Sequence, residues 1–368
     1  MLELSICNFP DLTKKNININ IEIIFEKIGL IKPSSSFENK LIHEFGSSNK
    51  LNKIIKIVKF LGEGSYGKVY KVSIDDKYFA IKISDNEIPE KLIQRYFSLI
   101  NDPKLINYII KIYSCGNLIN NKRKYFTLME YGGVDIRKYK YKNKYELQNV
   151  VKQLYELTTS AINGKHLLSD FKSGNLIVNT NNLNLKLIDI YILCDEYPCK
   201  NCKIVKTYPI VEIEKEYKIY ENPNYNFTSI CIPLAITLID LCCDKSYSTI
   251  CSELNQQYNI DVNVKQMTMI LQYACYNYNN NYNNSSLKNY KRIYKFKKSI
   301  EDDFKVLSND NFYKDFFNKL DPTILFSKKK FILLINDLLS ACPDQRSTKY
   351  LKKKIDNFDS TNNINNKN

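Results

Sequence analysis

Three glycines within Leu61-Gly62-Glu63-Gly64-Ser65-Tyr66-Gly67-Lys68-Val69 stand between two runs of strand-forming residues, and no other stretch constrains the fold as tightly. Without side chains in the way, the backbone N–H groups of such a loop can approach phosphate oxygens. Dinucleotide-binding folds use a similar glycine spacing, but they need a helix directly after it. Here Lys68–Ile74 is rich in Val, Tyr and Ile and predicts a strand. A plain glycine-rich hairpin would satisfy the same spacing. What sets this one apart is Phe79-Ala80-Ile81-Lys82, a strand-like run ending in a lysine that stands 15 residues after Gly67.

The rest of the chain has room for one large or two modest domains. It has 368 residues, 44% hydrophobic and 25% charged, the balance of an ordinary globular protein. No apolar run reaches the roughly 18 residues that span a bilayer, and Met1–Asn16 lacks a basic start with a long apolar stretch, so no membrane or secretory role is expected. Eleven cysteines, an odd number, read as reduced intracellular thiols. Cys194, Cys199 and Cys202 cluster, yet a zinc site needs four ligands, and the only histidines are His43 and His166.

The net charge of +15 invites an anionic partner. Arginine, the residue best suited to bidentate phosphate and base contacts, is nevertheless scarce: Arg95, Arg123, Arg137, Arg292 and Arg346 are all there are. Abundant Lys, Asn, Ile and Tyr with no Trp match A/T-rich codons, so a specific nucleic-acid partner is not expected.

Along the chain, Asn20–Ile31 has helix-like spacing of Ile, Phe and Leu before Pro33. Ile54–Ile83 reads as strands, Leu92–Ile100 as a helix, and Ile109–Tyr113 and Tyr125–Glu130 as two short strands. After Gly132-Gly133 the character turns helical. Tyr145–Ala161 has the spacing of a buried helix, and Ile230–Cys242 is apolar nearly all round. Residues 276–290 are low in complexity, and Asp359–Asn368 is too polar to fold alone. Two further segments carry chemistry. Ser169-Asp170-Phe171-Lys172-Ser173-Gly174-Asn175-Leu176-Ile177 brings a carboxylate, an amine and an amide together, and Leu185-Lys186-Leu187-Ile188-Asp189 ends a strand-like run on a carboxylate 19 residues after Asp170.

Taken in order, these segments resemble the eukaryotic-type protein kinases over about residues 55–350. The resemblance implies an α+β, bilobal protein-kinase-like fold with a small β-rich lobe (about 51–131) and a larger α-helical lobe (about 132–350). An N-terminal extension (1–50) and a polar tail (351–368) would flank it. It further implies ATP under Leu61, Gly62, Glu63, Gly64, Ser65, Tyr66, Gly67, Lys68 and Val69, with Lys82 on the α- and β-phosphates. Met129 would guard the back of the pocket, the backbone of Glu130 to Gly132 would face the adenine, and Asp135 would meet the ribose. Asp170 would be the catalytic base, Lys172 the phosphate-stabilising cation, and Asn175 and Asp189 the Mg²⁺ ligands. The implied reaction is transfer of the γ-phosphoryl of ATP to hydroxyls of a protein substrate. Lys172, two residues after the catalytic Asp, is the serine/threonine-type residue.

The resemblance has gaps. Leu168-Ser169 stand where the family has His-Arg, which argues against control by a phosphorylated activation loop. Asp189-Ile190-Tyr191 lacks the customary glycine. The acid that should pair with Lys82 is not evident, since Glu87 and Glu90 lie close and Gln94 is uncharged. Arg346, in a late arginine motif, has only Glu212, Glu214 or Glu216 as candidate partners. A pseudokinase scaffold and a small-molecule phosphotransferase therefore stand as alternatives. The biased composition would suit a fast-diverging kinase of a large DNA virus or a parasite.

Overall fold

The computed structural model describes residues 19–22, 54–64, 67–74, 76–84, 96, 99–118, 121–164, 166, 168, 171–190, 225–279, 310–322 and 327–340. The chain divides into two compact units, Met1–Asn101 with Ile109–Gly133, and Asp102–Tyr108 with Val134–Asn368. The first is β-rich and the second mainly helical, so the fold class is α+β.

In the first unit, β1 (Ile19–Glu22), β2 (Ile54–Gly64), β3 (Gly67–Ile74), β4 (Lys77–Ser84), β5 (Ile112–Leu118) and β6 (Asn121–Glu130) form one antiparallel sheet in the order β1-β2-β3-β4-β6-β5. Period-two alternation builds its core. Tyr70, Val72 and Ile74 of β3, Phe79, Ile81 and Ile83 of β4, and Phe126 and Leu128 of β6 are all buried on one face, with Ile57 of β2 beside them.

β1 corrects the sequence reading. Residues 20–22 fall within the expected helix, yet Ile19–Glu22 pairs along β2, with Ile21 opposite Ile55. Isoleucines at 17, 19, 21 and 23 alternate strictly. β-Branched residues at period two favour a strand over a helix, and the open edge of β2 supplies the partner. The expected helix Leu92–Ile100 is described only at Tyr96, Leu99 and Ile100, all helical.

The second unit begins with β7 (Val134–Asp135) and α1 (Lys144–Asn163). A single 3-10 turn, Ser173–Asn175, leads into β8 (Leu176–Val178), which pairs with both β7 and β9 (Leu185–Leu187). The other helices are α2 (Tyr225–Cys242), α3 (Tyr247–Tyr258), α4 (Val264–Asn279), α5 (Asp310–Lys319) and α6 (Lys328–Ser340). α2 runs through their midst: every described side chain from Ile230 to Ile239 is buried, as its all-round apolar sequence requires. α6 packs on both α2 and α4. Ser246 caps α3 by accepting the Thr249 N–H, and Asn259 ends it in the left-handed conformation.

Asp102–Tyr108 is part of this unit although it lies between two segments of the other in sequence. Tyr108 accepts the Leu187 N–H at 2.7 Å and donates its hydroxyl to Glu156, while His166 stands 3.4 Å from Asp102. Among the described residues Cys243, Cys251 and Cys275 are free thiols. Burial pushes Cys243 and Cys251 up to about 12, which suppresses the reactive thiolate. Cys194, Cys199, Cys202, Glu87, Glu90, Gln94, Glu212, Glu214, Glu216 and Arg346 lie outside the described residues. No described helix is long and apolar enough to cross a membrane.

Candidate active site

The glycine loop is the β2–β3 hairpin, with Gly62 opposite Val69, Glu63 opposite Lys68 and Gly64 opposite Gly67. Leu61 is half-buried in β2, and Ser65 and Tyr66 at the tip lie outside the described residues. Glu63 and Lys68 form an exposed ion pair at 3.7 Å, too solvated to hold the hairpin by itself.

The three glycines do different work. Gly67 has φ +142, and a Cβ there would overlap the Ile83 carbonyl oxygen, so the fold itself demands glycine. At Gly62 and Gly64 an added Cβ meets nothing within 4 Å. Internal packing gives no reason for glycine at those two positions. Gly67→Ala is expected to destabilise the protein by on the order of 2 kcal/mol in chemical denaturation. Gly62→Ala should leave stability nearly unchanged and weaken nucleotide binding.

Lys82 lies on β4 directly opposite Val69 of β3 and Thr127 of β6. Directly paired residues share a face of the sheet, so these three stand together on the face opposite the apolar core. Ala80 and Met129, two residues along, share that face. Lys82 is only 9% exposed, an unusual setting for a lysine. Thr127 was not legible as a site residue, because only the β4–β6 register brings it there.

Beyond β6, Glu130 is half-buried and tied to Lys111 twice. Its N–H donates to the Lys111 carbonyl and its Oε1 accepts the Lys111 N–H, both at 2.9 Å. The Glu130 N–H is thus used within the sheet. Lys71 places its ammonium 3.8 Å from the Tyr78 ring centre and 4.4 Å from that of Tyr131, fixing the segment after β6 against the sheet.

In the second unit, the turn around Lys172–Asn175 is held from within. The Asn175 N–H donates to the Lys172 carbonyl at 3.0 Å, and the Ile188 N–H donates to the Asn175 carbonyl at 2.8 Å. The second bond extends the β8–β9 register, in which Leu176 faces Leu187, by one residue. Asn175 and Asp189 consequently meet at the same end of one hairpin. Asn175 is buried, and Asp189 has φ +58. A left-handed non-glycine residue is uncommon, and such residues gather at functional sites. Asp170 lies outside the described residues.

Asp240 is a residue that sequence reading passed over. Ser173 Oγ donates to its Oδ2 at 2.6 Å, and the Tyr247 N–H donates to its Oδ1 at 2.8 Å. It therefore ties the turn carrying Lys172 and Asn175 to the buried helix α2 and to the start of α3. The signal was present: Asp240 is the one charged residue in Ile230–Cys242. Asp135, the ribose candidate, sits in β7 with its carboxylate already engaged. Oδ1 accepts the Arg137 N–H and Nε, both at 2.9 Å, and Oδ2 accepts Nη2 at 2.5 Å.

No family model matches the chain. No curated protein matches it. Among solved structures it is similar to two crystal structures of the PknI kinase domain of Mycobacterium tuberculosis, a double mutant and a single mutant. Each is 17% identical and covers 51% of this chain and 72% of its own, with TM-scores of 0.34 and 0.33. A superposition of that extent assigns no role to any residue of this chain, and nothing in it supports a viral source.

Proposed function

We propose that the chain is an ATP- and Mg²⁺-dependent protein serine/threonine kinase. The observation that supports this reading is the hydrogen bond from the Ile188 N–H to the Asn175 carbonyl, which extends the β8–β9 pairing and sets Asp189, the next residue, at the same end of the hairpin as Asn175. Mg²⁺ prefers oxygen ligands and is commonly held by one or two protein groups, with water and phosphate completing its shell. Asn175 and Asp189 fit that demand. Among the described residues no group of three His, Cys, Asp or Glu gathers, so nothing there resembles a closed cage for a softer metal.

When bound, Mg²⁺ neutralises charge on the β- and γ-phosphates. The chain's own residues do the rest. Gly62 and Gly64 leave room for the phosphates, and the amine of Lys82 draws the α- and β-phosphate oxygens toward the sheet face it shares with Val69 and Thr127. Asp170 orients the attacking hydroxyl and takes its proton, while Lys172 stabilises the charge on the phosphoryl in flight. Lys172 also favours serine and threonine as acceptors.

The test is transfer of labelled γ-phosphate from ATP to a generic basic protein or to the chain itself. Label in acid-stable serine and threonine esters, absent with Asp170→Ala, supports the reading. Label appearing only on added sugars or amines would turn it toward a small-molecule phosphotransferase.

A further inference from the structure

β7 and β8 run antiparallel, with Val134 opposite Val178 and Asp135 opposite Ile177. The register continues one step further, since the Ile136 N–H donates to the Leu176 carbonyl at 3.1 Å. The next residue, Arg137, therefore comes level with Asn175, and its side chain reaches the adjoining Gly174. A Cβ built on Gly174 would lie 3.4 Å from Nη2, 3.7 Å from Cζ and 3.8 Å from Nη1 of Arg137. Three nearly equal distances describe a guanidinium lying face-on over the glycine. Asp135 holds that plane in place through Nε and Nη2, and through the Arg137 N–H.

We propose that Arg137, oriented by Asp135, is a positioning residue for the metal-ligating Asn175. This rests on the kinase reading above. The turn Ser173–Asn175 is then gripped at two consecutive residues, Ser173 by Asp240 and Gly174 by the stacked guanidinium. Asn175 follows directly, so freedom gained at Gly174 passes to the amide that binds Mg²⁺. A methyl group at 174 would meet the guanidinium in ordinary van der Waals contact, so the grip depends on the arginine and not on the glycine. Lysine cannot replace Arg137, for it has neither the plane nor the fork.

The experiment measures binding of a non-hydrolysable ATP analogue to the full chain in Mg²⁺ and again in EDTA. Wild type should bind more tightly in Mg²⁺. Arg137→Ala and Arg137→Lys should each lose roughly tenfold of that Mg²⁺-dependent gain, the usual effect of removing an outer-shell partner. Binding in EDTA should stay at the wild-type value, which a merely unfolded variant would not show. An unchanged Mg²⁺ gain in either folded Arg137 variant overturns the positioning role and leaves the kinase reading standing. A wild type with no Mg²⁺ gain overturns both.

Discussion

Asp189→Ala is expected to lower phosphoryl transfer by roughly a thousandfold, since the proposed reaction makes its carboxylate a Mg²⁺ ligand. The loss should fall on kcat measured at saturating ATP. Nucleotide affinity in EDTA should hardly move, because the glycine loop and Lys82 lie on other elements. Alanine also relieves no packing fault: Asp189 is half-exposed, and its φ of +58 costs alanine about 1 kcal/mol. A kcat reduced only a few-fold would mean that the carboxylate serves the turn and not the metal.

Asp240→Ala should have the largest effect on stability outside the apolar core, on the order of 3 kcal/mol in urea unfolding. Two donors, Ser173 Oγ and the Tyr247 N–H, lose a charged acceptor at once. Asp240→Asn keeps the shape and one acceptor oxygen, and should recover part of the loss. Turnover in both variants should fall together with the order of the Lys172–Asn175 turn. Full stability in Asp240→Ala would show that water replaces the carboxylate without cost.

The sheet was legible because its strands alternate. Tyr70, Val72 and Ile74, then Phe79, Ile81 and Ile83, write the core face at period two, and Lys82 falls on the other face by parity alone. β1 was missed because Phe25 and Ile28 extend the isoleucine run into a helical spacing that masks its alternation. Asn175 and Asp189 come to the same end of one hairpin through a register with one added hydrogen bond, which is not written in either segment. Arg137 shows the limit most clearly. Asp135 and Arg137 stand two apart in sequence, as in many turns, and only the register of a two-residue strand carries the guanidinium onto Gly174. Short strands have too little pattern to fix a register from sequence.

The most direct measurement of the central claim is turnover of γ-labelled ATP in Mg²⁺ by wild type beside Lys82→Ala and Asp170→Ala, with all three shown to be folded. Wild type should transfer phosphate to protein, Lys82→Ala should bind nucleotide more weakly, and Asp170→Ala should bind it normally without transfer. A wild type that neither binds ATP nor transfers phosphate, or an Asp170→Ala variant as active as wild type, would contradict it.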